Sequence, residues 1–334
     1  MRGLDSCPLE EGLRIATKTV RANGIDISYT VEGAGPPLVM LHGATSSAVE
    51  DWSAQRPLFR RAFRLYLVDA RGHGGTRWDA ADGFDKDMLV ADLLGFVDAM
   101  DLGTFHLAGF SMGAMTALTF ATRHAERLRT AIICGIDVQR EPRARVAARL
   151  MDPVRIEREE QSWAAQLERR HGPRQGPGAW KRLLPAIAAD VANQDLLTPA
   201  QLRGARVPTL LVYGDRDIFV PVDHAAALHR QLPSARLLVA PDCPHQVMVS
   251  QPALFNQAAG TFYRSTERLA RERAGARVPP APVPATDGAA VLDPSLVMAA
   301  VSASTTASAR AKDSPALSGH EPHADDPEWW DAWR

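Results

Sequence analysis

An α/β fold built on a mostly parallel central sheet is what this sequence predicts. Two observations carry that reading. Short apolar runs, each closed by turn residues, recur along the chain, as strands buried on both faces of a parallel sheet do. Between them lie segments with apolar residues at helical spacing, and the alternation implies helices layered on a sheet.

The strand candidates come in this order. Pro37 to Leu41 runs into His42-Gly43, and Arg64 to Val68 ends at Asp69. Phe105 to Phe110 ends at Ser111, and Thr130 to Ile136 follows. Thr209 to Tyr213 and Leu237 to Ala240 close the series. Among the helices, Met88 to Met100 sets Leu89, Leu93, Phe96, Val97 and Met100 on one face. Met112 to His124 is rich in small residues, and Asp223 to Leu232 follows Pro221. The final core helix reads as Pro252 to Arg264 or slightly beyond.

From Asp137 to about Gly204 the rhythm breaks. Charged helices, Val154 to Arg170 and Trp180 to Asn193, stand either side of a Gly/Pro-rich stretch, 172–178. A helical insertion between two core strands fits this pattern. Beyond Gly275, 31 of the last 60 residues are Ala, Pro, Ser or Thr. Such a segment has too little to bury to offset its ordering entropy, so disorder is expected. Its end differs: Trp329, Trp330 and Trp333 make a short acidic-aromatic segment that could dock on a protein partner or back on the chain itself. The expected organisation is an extension at 1–19, a core at 20–136, the insertion at 137–204, the rest of the core at 205–270, and the tail at 271–334.

Composition narrows the function. With 38 basic against 39 acidic side chains, the net charge of −1 argues against a nucleic-acid binder. No apolar run nears the ~18 residues of a membrane span, and the first residues lack the apolar core of a secretory signal. Cys7, Cys134 and Cys243 are far apart, with no CxxC pair, so neither a zinc site nor a disulfide framework is expected. A cytoplasmic location follows.

The sharpest motif is Gly109-Phe110-Ser111-Met112-Gly113, a G-x-S-x-G pentapeptide between a strand and a helix. In that context the turn is tight and the serine hydroxyl is lifted above the sheet edge. A serine needs a base, and the base needs an acid to hold it. His245, in the loop after the strand Leu237 to Ala240, is the candidate base. Asp217, in Gly214-Asp215-Arg216-Asp217, is the favoured acid, with Asp215 and Asp137 as rivals. All would lie at the carboxyl ends of parallel strands, where open α/β sheets place their sites.

The chain from about residue 20 to 265 resembles the α/β-hydrolase superfamily. Leu41-His42-Gly43-Ala44 resembles its oxyanion loop, and Trp52 stands at the usual downstream place. The run from Asp69 to Thr76 resembles its D-x-R-G-H-G-x-S segment, with Thr76 for serine. Gly214 to Pro221 resembles its acid loop, and His245 with Gln251-Pro252 its histidine loop, although Ser250 replaces a common glutamate. The resemblance implies the α/β-hydrolase fold, with helices on both sheet faces and the insertion as a lid. It also implies a Ser111–Asp217–His245 triad and an oxyanion hole made by the Ala44 and Met112 N–H groups.

His42 and Gly43 would support that hole, with Phe110, Trp163 and Trp180 around the pocket. Asp69 and His73 would brace the neighbouring turn. Cys243 reads as an inert buried thiol, Cys134 as core, and His171 and His224 as surface residues. The expected activity is hydrolysis of a small or medium, mainly apolar carboxylic ester, lactone or thioester through an acyl-enzyme, with no metal or cofactor. One alternative is hydrolysis of a carbon–carbon bond in a β-diketone-like compound. Another is a ligand receptor without catalysis on the same fold. A small-molecule substrate is the expected partner, without nucleic acid and without membrane insertion.

Overall fold

The protein is described by a computed structural model over residues 16–275. Cys7, the tail beyond 275 and its Trp329, Trp330 and Trp333 lie outside the described residues.

Eight strands of the described residues form one sheet: β1 (Thr17–Ala22), β2 (Ile25–Glu32), β3 (Pro37–Leu41), β4 (Arg64–Val68), β5 (Phe105–Phe110), β6 (Leu128–Cys134), β7 (Thr209–Gly214) and β8 (Ala235–Ala240). Their order is β1-β2-β4-β3-β5-β6-β7-β8. From β4 to β8 every pairing is parallel, whereas β1 and β2 join antiparallel at the β4 edge.

The first helices are α1 (Ala48–Asp51), α2 (Arg56–Phe59), α3 (Lys86–Ala99) and α4 (Met112–Arg123). Between β6 and β7 come α5 (Arg143–Leu150), α6 (Pro153–Glu159), α7 (Gln161–Gln175), α8 (Trp180–Asn193) and α9 (Pro199–Gly204). The series ends with α10 (Val222–Gln231), α11 (Val247–Ser250) and α12 (Pro252–Gly275). A compact unit ends at Arg268; Leu269 to Gly275, the last turns of α12, belong to a second unit. The helix thus runs five residues past 270, the boundary that composition suggests. No helix among the described residues is long and apolar enough to cross a membrane.

The six core strands expected from the sequence are present to within a few residues. Both β5 and β7 are buried at all six positions, as strands covered on two faces must be. One sheet face packs Leu38, Met40, Ala108 and Val212 under Trp52, Phe59, Phe255 and Phe262. Full burial of such side chains stabilises by roughly 1.5–3 kcal/mol each. On α4 every residue from Gly113 to Ala121 is buried, which explains the small side chains.

Two features differ from expectation. The β1–β2 hairpin is an addition. Its turn is Asn23-Gly24, with φ of 45° and 76°, the positive pair that a two-residue hairpin turn needs. The insertion also divides elsewhere. The chain breaks at Glu160, whereas α7 continues through Gly172-Pro173 and stops at Gly176, where φ is 94°. Proline lies in the last turn, and glycine supplies the left-handed stop.

Candidate active site

The sheet reverses its order at β3, which lies between β4 and β5. A crevice at the carboxyl ends of the strands is expected at such a switch point. The loops after β3, β5, β6, β7 and β8 carry the candidate residues to that edge.

Ser111 joins β5 to α4 with φ 50° and ψ −111°, a region that a residue with a Cβ avoids. The surroundings hold it there. Its N–H donates to Cys134 O at 2.9 Å, and its carbonyl accepts from Met115 N–H at 3.0 Å. The flanking glycines are needed for closeness, since neither has positive φ. A Cβ on Gly109 would sit 2.2 Å from Gly113 O, and one on Gly113 would sit 2.7 Å from His42 O. Strand, elbow and helix are packed backbone to backbone.

His245 is buried, and its Nδ1 lies 2.7 Å from Asp217 Oδ2. The other Asp217 oxygen accepts from Phe219 N–H at 2.8 Å and Val220 N–H at 3.1 Å. A carboxylate so held makes Nδ1 the donor and leaves the lone pair on Nε2. The ring is clamped between Phe110 at 4.9 Å and Phe219 at 4.5 Å. Below it lies Gly135, with φ of 66°, where a Cβ would come within 2.8 Å of the ring. Gly135 directly follows Cys134, whose carbonyl anchors Ser111, so His245 and Ser111 share the end of β6.

The rival acids are engaged elsewhere. Asp215 Oδ1 accepts from Cys243 N–H at 3.0 Å and so anchors the histidine loop. Asp137 Oδ2 lies 2.7 Å from Nδ1 of His224, a second acid–histidine pair at the same edge. His224 is therefore a half-buried partner of Asp137, not the surface residue its α10 position suggests. Cys243 is buried, and burial pushes its thiol up to about 11, with Asp215 and Asp217 acting in the same direction.

The first peptides of the loop after β3 are tied down. Trp52 Nε1–H donates to Leu41 O at 3.1 Å, and Gly113 N–H to His42 O at 3.0 Å. Gly43 N–H donates to Asp51 Oδ2 at 2.8 Å, and Gly43 O lies 2.7 Å from His42 Nδ1. His42 Nε2 accepts from Ala70 N–H at 3.0 Å, which places the ring proton on Nδ1. Burial drives the His42 pKa down to about 4, and with both nitrogens engaged it is no base. Because the peptide is trans, pulling Gly43 O one way aims the Ala44 N–H the other way. Among the described residues, neither Ala44 N–H nor Met112 N–H donates a hydrogen bond. Both are half-buried, and Met112 opens α4, where the helix dipole favours negative charge.

The neighbouring turn is braced as expected. Asp69 accepts from Ala48 and Gly75 N–H at 3.1 Å each. Thr76 does the work of a serine hydroxyl: it donates to Asp69 O at 2.7 Å and accepts from Ser28 N–H at 2.8 Å. His73 Nε2 lies 2.7 Å from Ala44 O, and its Nδ1 faces Arg71 O at 2.9 Å. Two carbonyls favour a charged ring, but burial and nearby His42 outweigh them and bring the pKa to about 3. His171, on α7, is fully buried rather than on the surface. It accepts from Gly74 N–H at 3.2 Å, with its ring 5.3 Å from that of His73. Arg170 Nη1 beside it donates to Thr45 O at 2.5 Å. The insertion therefore touches both loops around Ala44.

Trp163 and Trp180 are buried with Leu167, Leu183, Leu184 and Ile187 in the insertion's own cluster. Ala44 and Met112 pack against that cluster. The indole of Trp180 donates to Glu168 Oε2 at 3.1 Å.

Asp51 offers a test of this support. Burial raises its pKa from 3.8 to about 6, against the opposing pull of Gly43 N–H, Ser46 and Arg170. The folded state then holds more protons than the unfolded one between pH 4 and 6, so stability falls as pH rises through that window. Asp51→Asn keeps an acceptor for Gly43 but removes the buried charge. The variant is expected to gain on the order of 2 kcal/mol over the parent at pH 8, and little at pH 4. Urea unfolding at both pH values checks this; an equal difference at the two would refute the assignment.

A family model described as "Alpha/beta hydrolase family" matches residues 38–259. The chain is similar to 2-hydroxy-6-oxo-2,4-heptadienoate hydrolase of Pseudomonas putida, 26% identical over 73% of this chain and 95% of that protein. It is similar to the pimeloyl-[acyl-carrier protein] methyl ester esterase of Nitrosomonas europaea, 28% identical over 69% of this chain and 96% of that protein. The solved structure of a thermophilic esterase from Thermogutta terrifontis superposes with a TM-score of 0.62 at 24% identity, covering 75% of this chain and 99% of that one.

Proposed function

The chain belongs to the alpha/beta hydrolase family, and from that premise we propose that it is a serine hydrolase of carboxylic esters. The strained conformation of Ser111 at the helix N-terminus carries the reading. Strain of this kind persists only where the surroundings over-determine it, and it clusters at functional positions.

In this reading His245 Nε2 takes the Ser111 proton as Oγ attacks the ester carbonyl. Asp217 keeps the proton of Nδ1 in place and stabilises the imidazolium. The Ala44 and Met112 N–H groups receive the oxyanion, each worth about 3 kcal/mol by analogy with a serine protease. His245 then returns its proton to the leaving alcohol. The same ring activates water, which releases the acid and regenerates Ser111. The insertion acts as a lid, with its Trp163–Trp180 cluster against Ala44 and Met112 giving the pocket an apolar wall. A small or medium ester, lactone or thioester suits such a wall.

A second reading is hydrolysis of a carbon–carbon bond beside a carbonyl. It is favoured by relatives named as 2-hydroxy-6-oxo-heptadienoate and 2-hydroxymuconate semialdehyde hydrolases. Turnover of a panel of esters, lactones, thioesters and β-diketone-like compounds separates the two. Ester turnover well above that of diketones supports the first reading, and the reverse ranking supports the second. No turnover of any class, with ligand still bound, would favour a receptor.

A further inference from the structure

Arg143, the first residue of α5, is only 4% exposed. Its Nε and Nη2 atoms are buried, and no described residue accepts a hydrogen bond from either. These two N–H groups form one edge of the guanidinium. Arg71, another buried arginine, uses the same edge on Asp92, with Nε and Nη2 each 2.7 Å from a carboxylate oxygen. On Arg143 that fork is unfilled.

The acidic groups around it have other partners. Asp137 gives one oxygen to His224 Nδ1 at 2.7 Å and the other to Gln139 N–H at 3.3 Å. Asp190 accepts from Lys86 N–H at 3.0 Å. Both act on Arg143 through space, where burial works to lower its pKa and the two carboxylates to raise it. Arg140, the nearby cation, donates to Ala192 O and Gln194 O. A buried cation without hydrogen bonds costs several kcal/mol, so its retention calls for an anion that completes it.

Its place in the fold says which anion. Arg143 and Ala147 are one helical turn apart and share a face of α5. Ala147 belongs to the insertion cluster against which Ala44 and Met112 pack. Asp137, the other neighbour, ends the segment that follows β6 beneath His245. Arg143 thus opens the first helix of the insertion, which follows β6, the strand whose last carbonyl anchors Ser111. A fork of two parallel N–H groups matches a planar carboxylate. A phosphate dianion would meet stronger repulsion from Asp137 and Asp190.

We propose that Arg143 binds a carboxylate at the end of the substrate remote from the scissile bond, so that the preferred esters are half-esters of dicarboxylic acids or similar carboxylate-bearing compounds. This deepens the ester-hydrolase reading and rests on it.

The test compares monomethyl glutarate with methyl pentanoate, esters of similar length that differ in the remote charge. The full-length enzyme is expected to favour the charged ester in kcat/KM by roughly 10–100-fold. In Arg143→Gln that ratio is expected to fall at least tenfold, and Arg143→Lys to recover part of it. Glutarate itself should compete with the neutral ester in the parent enzyme. Equal kcat/KM for the two esters in the parent overturns the proposal, as does an unchanged ratio in Arg143→Gln, which would mean that water alone completes the fork. If Arg143→Gln does not fold, glutarate competition decides: inhibition supports the site, and its absence overturns it. Turnover of neither ester, with a broad panel also inert, refutes the hydrolase reading itself.

Discussion

Ser111→Ala is expected to lower kcat by about 10⁴–10⁶, the range seen when a serine protease loses its nucleophile. Removing Oγ eliminates the acyl-enzyme route while the Ala44 and Met112 N–H groups remain. The protein should fold normally, because the anchors on Ser111 are backbone groups: Cys134 O on one side and Met115 N–H on the other. A companion substitution separates function from stability. At φ 50° and ψ −111° a Cβ is strained, so Ser111→Gly should be as inactive as Ser111→Ala yet more stable than the parent by about 1 kcal/mol. Steady-state turnover with calorimetry or urea unfolding reads both effects. Near-parental kcat in a folded Ser111→Ala protein would refute the mechanism.

Asp217→Asn is expected to reduce kcat by about 10⁴, by analogy with the same change in a serine protease triad. An asparagine that keeps the bonds from Phe219 and Val220 turns its NH₂ toward His245 Nδ1. The imidazole must then present a lone pair at Nδ1 and carry its proton on Nε2, the wrong tautomer for a base. Asp137→Asn and Asp215→Asn should each cost no more than about tenfold, since one carboxylate serves His224 and the other Cys243 N–H. If Asp137→Asn proves the damaging variant, the acid has been assigned wrongly while the nucleophile stands.

The core of the sheet was legible because its strands are buried on both faces and so read as unbroken apolar runs. The β1–β2 hairpin was not read from the pattern, since β1 is mostly exposed and its side chains carry no such run. Its one local signal, Asn23-Gly24, is a turn dipeptide between alternating residues. His171 shows the other kind of failure. On a charged helix, flanked by Arg170 and Gly172, it reads as solvated. Its burial depends on where α7 settles against Gly74 and His73, which helical periodicity does not contain.

By itself the sequence determined the alternation of strands and helices, the elbow at Ser111 and the loops that hold acids and histidines. Each of these is set by residues within a few positions of one another, through turn sterics and side-chain period. Which carboxylate meets which imidazole was decided only by the tertiary structure. Asp217 lies 28 positions from His245, and Asp137 lies 87 from His224, yet both pairs close at 2.7 Å on the same sheet edge. Hydrogen bonds tolerate only a few tenths of an ångström, and that tolerance is met by how the loops pack, not by chain spacing. The unfilled fork of Arg143 has the same origin: one more arginine in an arginine-rich insertion became a buried cation only when α5, α8 and the end of β6 came together.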